Sequence, residues 1–111
     1  MSDWYQVSTA IDSEAAAAQL AETLVAERLA ACVQVIGPLR SVYRWEGAVT
    51  RSTEWLCLAK TAAAGLAALM ARLRALHSYQ LPEIVATPIS TGDPGYLDWL
   101  RQESTPASEL P

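Results

Sequence analysis

The chain has 111 residues, 51% of them apolar, with a net charge of −4 and an isoelectric point near 4.8. That describes one globular domain with a single core and no room for a second. The eight Lys and Arg are scattered, so the basic stripe that phosphate contacts require is missing and nucleic acid is not expected as a partner.

No apolar run approaches the length of a membrane span, and the opening MSDWYQVS lacks the basic and apolar regions of a secretion signal. Two cysteines, Cys32 and Cys57, share no CxxC spacing and are too few for a disulfide framework, so a reducing cytoplasm is the expected setting.

In chain order, Trp4 to Ile11 alternates as a first strand. Asp12 and Ser13 offer N-cap oxygens to a helix running to about Ala30, with Ala17, Leu20, Ala21 and Leu24 on one apolar stripe. Cys32 to Ile36 is the second strand. Gly37-Pro38 then predicts a bulge, bend or edge, because proline cannot donate to a ladder. Beyond it Ser41, Tyr43 and Trp45 alternate with Val42, Arg44 and Glu46, an arm with aromatics and charges on both faces. Gly47 and Thr50 to Ser52 carry turn chemistry, and Thr53 to Thr61 returns as the third strand, apolar on both faces at its centre. Thr61 is positioned to cap a second helix, about Ala62 to His77, with Leu66, Leu69, Met70, Leu73 and Leu76 on its stripe. After the connector Ser78 to Pro82 come a fourth strand, Glu83 to Ile89, a short helix, Tyr96 to Gln102, and an expected frayed tail, residues 104–111.

The order βαββαβ plus a terminal helix predicts an α+β, ferredoxin-like domain over residues 1–103. Its antiparallel sheet carries both helices on one face. The other face is left bare, and the third strand makes it apolar, so an oligomer assembled through that face and the arm is expected.

The stretch Ala31-Cys32-Val33, the arm Ser41 to Gly47, the strand end Leu58-Ala59-Lys60-Thr61 and the run His77 to Ile84 closely resemble the CutA family of divalent-cation tolerance proteins. Tyr96 to Leu100 is similar to that family's C-terminal helix, and the likeness extends from Val7 to about Gln102. The resemblance implies a homotrimer similar in shape to the PII signalling proteins, and a cytoplasmic bacterial protein associated with tolerance to copper and other divalent metals.

It also implies where to look for a site. The family's proposed copper ligands are a first-strand cysteine and two adjacent histidines after the second helix. Those positions hold Thr9, Leu76 and His77 here, so only His77 keeps a ligating side chain. The metal candidates are therefore His77 and Cys32. A lone imidazole does not hold copper or zinc strongly, since stable sites use about three or four ligands. Each has a plainer role as well: a helix cap for His77, a small buried hydrophobe for Cys32 and for Cys57. Tyr43, Trp45, Lys60 and Glu83 are candidates for a cleft that takes a small anion or metabolite. Subunit packing explains the two rings equally well, and a structural ion pair the two charges. No cofactor is required by these motifs; copper or another divalent cation is the one the resemblance allows. With one histidine and no Gly-rich phosphate loop, an enzyme is not expected. Three roles stay open: a trimeric metal-tolerance protein, a PII-like sensor, and a ligand-free scaffold.

Overall fold

The computed structural model describes residues 2–105. Four strands form one antiparallel sheet in the order β2-β3-β1-β4, where β1 is Trp4–Ile11, β2 Cys32–Trp45, β3 Ala48–Ala62 and β4 Val85–Ile89. Helices α1 (Glu14–Ala26) and α2 (Leu66–Leu76) cover one face. A third, α3 (Pro94–Glu103), is fastened at the end of the sheet, where Trp4 Nε1 donates to the Leu97 carbonyl at 3.0 Å. This is the ferredoxin-like architecture that the element order predicted.

Alternation decides which side chains make the core. In β1, Val7, Thr9 and Ile11 point at the helices and pair with Ala59, Cys57 and Trp55 of β3. Leu20 and Leu24 of α1 and Leu69 and Leu73 of α2 close over them. The opposite register, Gln6, Ser8 and Ala10 against Lys60, Leu58 and Leu56, lines a face that no helix among the described residues covers, although Ala10 near its end is buried. Ile36 and Val85 extend that open face and are 46% and 51% exposed.

The Gly37-Pro38 step is a bulge. Pairing of β2 with β3 shifts register between Ile36 and Leu39, so Ile36 meets Leu56 and Leu39 meets Glu54. Parity along β2 therefore switches, and Leu39, Ser41, Tyr43 and Trp45 stay on the open side of the sheet. Gly37 is required by close approach, because a Cβ there would lie 2.4 Å from Cδ1 of Trp55. Past the bulge the two strands run on together as a long arm, which makes the chain 50 Å long against 25 and 21 Å across. Its radius of gyration, 14.7 Å, exceeds the roughly 13 Å of a compact domain this size.

Several boundaries differ from expectation. Helix α1 stops at Ala26 rather than near Ala30, because Arg28 turns left-handed (φ 61°). Leu29 N–H then donates to Leu24 and Arg28 N–H to Val25, which satisfies the last carbonyls. That conformation is uncommon for a non-glycine. Here the Arg28 side chain is anchored by the Gln102 and Thr105 carbonyls at 2.6 and 2.8 Å. The arm's turn is only Glu46-Gly47, both with positive φ (51° and 81°), a geometry that matches strand twist. Thr50 to Ser52 are consequently strand, paired with Tyr43 to Ser41. Thr61 belongs to β3 and caps nothing; a short 3-10 turn, Ala63–Gly65, leads into α2 instead. Pairing of β4 starts at Val85. Ser104, expected in the tail, is buried and holds Ala62 N–H at 3.0 Å, while residues 106–111 lie outside the described ones.

Candidate functional site

Between the arm and the connector of residues 77–84 lies a groove of about 810 Å³. Tyr43, Trp45, Ser41 and Ser52 come from the arm, Glu54 from the point where the arm joins the sheet, and Tyr79, Leu81 and Glu83 from the connector. Trp45 and Leu81 are 41% and 68% exposed, so the rims are open.

His77 fixes the connector that forms one wall. It is the C-cap residue of α2 and is buried, with 8% exposure. Its Nε2 lies 2.9 Å from the Ala10 carbonyl, and its Nδ1 accepts from Tyr79 N–H at 3.1 Å. A ring that accepts at Nδ1 and faces a carbonyl at Nε2 is neutral with its proton on Nε2. Both nitrogens are then occupied by backbone groups. The Tyr79 ring packs edge-on against the imidazole at 4.7 Å, and its hydroxyl donates to Glu54 at 2.7 Å. Glu54, 7% exposed, is thereby linked through Tyr79 and His77 to β1.

Burial above all, then the hydrogen bond to Glu54 and its negative charge, push the Tyr79 hydroxyl well above the ordinary phenol range. A raised pKa in the folded chain means stability is intact below about pH 10, where unfolded tyrosine begins to ionise, and declines as pH rises further. Tyr79→Phe should flatten that decline in urea unfolding between about pH 10 and 11. An unchanged slope would show that Tyr79 does not control it. Burial likewise raises the Cys57 thiol, which marks it as an inert core group.

Of the residues predicted from sequence, the structure brings Tyr43, Trp45 and Glu83 together in this groove. Lys60 is elsewhere: it pairs with Cys32 and Gln6 near the far end of β3, and its Nζ donates to Gln34 at 2.7 Å. Cys32 is half-buried beside it, at the opposite end of the sheet from Ala10 and His77, so the two metal candidates are not brought together. Thr9 faces the core. Among the described residues no three His, Cys, Asp or Glu side chains are grouped to hold a metal ion. Glu54, Asp12 and Tyr79 line the groove unforeseen. Glu54 was legible in principle, since it shares the parity of Leu56 and Leu58 rather than a solvent face.

A ferredoxin-like α+β domain with an uncovered sheet face and a projecting hairpin arm belongs to the PII-like class of small domains. Within it, a profile of the CutA1 divalent ion tolerance protein matches residues 5–103, and the chain belongs to that family. It is 48% identical over 94 residues to the "Divalent-cation tolerance protein CutA" of Thermus thermophilus, spanning 85% of this chain and 91% of that one. The solved Thermus structure superposes with a TM-score of 0.89 over 92% of this chain and 99% of its own. CutA from Xylella fastidiosa gives 0.91 at 39% identity, covering 94% and 100%. The rice relative, "Protein CutA 1, chloroplastic", is 38% identical over 88% of this chain, which spans 55% of that protein.

Proposed function

We propose that this chain acts as a homotrimeric divalent-cation tolerance protein that binds divalent metal weakly, in a reducing compartment such as the cytoplasm. The observation that carries the assembly is the open sheet face. Ile36, Leu56, Leu58 and Val85 lie on it side by side, continuous with Tyr43 and Trp45 on the arm. An apolar surface of that extent on a domain this small calls for a partner, and a second and third copy supply the same surface. Light scattering after size exclusion should give three times the 12.0 kDa chain mass; a uniform monomer would overturn the assembly.

For metal, His77 has a structural task in this geometry, which leaves Cys32 and surface carboxylates as ligands and favours low affinity. Calorimetric titration with copper should give weak heats of equal size for the wild type and His77→Ala. Heats lost in a folded His77→Ala protein would return the imidazole to the metal site.

The sensor reading gains support from the groove, although not in its anion form. Lys60 is remote, and the groove's charged lining residues are Asp12, Glu54 and Glu83.

A further inference from the structure

Glu54 is a buried carboxylate that finds no counter-ion in its own chain. It is more than nine-tenths buried, one oxygen accepts from the neutral Tyr79 hydroxyl, and no ion pair among the described residues includes it. Removing a carboxylate from water is costly unless a cation accompanies it. The groove beside it adds two more acids, Asp12 and Glu83, and Ser52 Oγ, which is buried without a hydrogen-bond partner among the described residues. Where copies meet over this side of the sheet the groove is covered, and whatever covers it has to bring positive charge.

The arm carries such a surface on its other face. Arg40, Arg44 and Arg51 share one parity with Val42 and Val49, opposite to that of Tyr43 and Trp45. All three arginines are exposed, and none belongs to an ion pair among the described residues. Val42 and Val49 beside them are 58% and 52% exposed. Tyr43 and Trp45 already line the chain's own groove, so the arm cannot turn its arginines into that groove. Only another copy's groove is open to them. The stretch from Leu39 to Trp45 extends roughly 20 Å, enough to cross most of a neighbour 25 Å wide.

We propose that the groove of each copy seats the arm of the next, arginine face inward, with Arg44 and Arg51 supplying the charge that Glu54 lacks. The pairing rests on the trimer proposed above and adds which surfaces meet and why the contact has a direction. Acidic groove and basic arm are different surfaces of one chain, so a ring of three satisfies every groove and every arm. A guanidinium presents several donors in a plane, which suits the second Glu54 oxygen together with Ser52 Oγ. The Tyr43 and Trp45 rings of the receiving groove add faces on which it can stack. A groove filled in this way is closed to a small ligand, so the pairing and the sensor reading compete for one surface.

A double-mutant cycle tests the pairing: Arg44→Gln with Arg51→Gln on the arm, Glu54→Gln in the groove, and all three together. Dissociation is followed by light scattering through a dilution series at one mild urea concentration, with circular dichroism to confirm that each variant is folded. Neutralising either side should raise the dissociation concentration about tenfold or more, because the charge left behind is buried without its partner. The combined variant should be no weaker than the weaker of the two, since the pair is already broken. Asp12→Lys with Glu83→Lys, at two exposed positions, should also loosen the assembly. Arg74→Glu, an exposed control on α2, should leave it unchanged. A trimer indifferent to the arm substitutions, or losses that simply add in the combined variant, would overturn the pairing and leave the assembly standing. A wild-type monomer would overturn both.

Discussion

Leu58→Glu is expected to convert the assembled protein into a monomer. Leu58 lies mid-strand in β3, paired with Ser8 on one side and Gln34 on the other, with Leu56 next on the same face. Within the single chain this side chain is only partly buried, so a carboxylate there keeps contact with water and changes the fold's own stability little. In an assembly that covers the face, the same carboxylate loses its water and finds no partner, at roughly 3–5 kcal/mol for each copy. Copies related by symmetry each carry the charge, so like charges also meet across the interface. The scattering mass should fall to that of one chain, and the Tm should drop and become independent of concentration as stabilisation by association disappears. Val25→Glu is the control: Val25 is an exposed residue of α1, on the helix side of the sheet, and its mass should not change. If Leu58→Glu keeps the wild-type mass, the open sheet face is not where the copies meet.

Fold class was legible because it rests on periodicity. Trp4 to Ile11 alternates cleanly and forms β1 with those very limits. The places where sequence misled are those where a backbone conformation is held by distant partners. A left-handed residue at the end of α1 would normally announce itself as glycine or asparagine; Arg28 takes the role because carbonyls near the C-terminus hold its guanidinium. Thr50-Arg51-Ser52 has turn composition, yet it is strand because Tyr43, Val42 and Ser41 are paired opposite.

The site followed the same division. Tyr43, Trp45 and Glu83 were identifiable as aromatic and charged residues out of place on a strand or connector. Lys60 is a charge at a strand end like Glu83, but register separates it from the rings: Lys60 faces Cys32 near the start of β2, whereas Trp45 faces Ala48 at its end. Glu54 is one of the chain's acids, with Glu46 and Glu83, that no spacing ties to a site. Only the fold reveals that Tyr79 covers it.

His77→Ala should be among the most destabilising single substitutions outside the apolar core, and it separates structure from metal binding. The imidazole makes two backbone bonds, a long-range one to the Ala10 carbonyl at 2.9 Å and a local one from the Tyr79 N–H at 3.1 Å. Alanine leaves both backbone groups without a partner in a buried site, at about 1–3 kcal/mol each. It also removes the edge contact with the Tyr79 ring, worth about 0.5–1.5 kcal/mol. Water entering the space offsets part of this, so a net loss of about 2–4 kcal/mol is expected. Against a total of roughly 5–15 kcal/mol for a domain, that is a large share. It corresponds to a fall in Tm on the order of 10 °C. Amide exchange at Tyr79 should quicken in parallel, because its N–H loses its acceptor. His77→Gln should recover part of the loss, since its amide carries both a donor and an acceptor. Unfolding is to be measured in EDTA. A structural histidine shows the full deficit there, whereas a histidine kept for metal shows little until copper is added. A wild-type Tm for His77→Ala in EDTA would therefore remove the structural role assigned to this residue and favour a metal role for its imidazole.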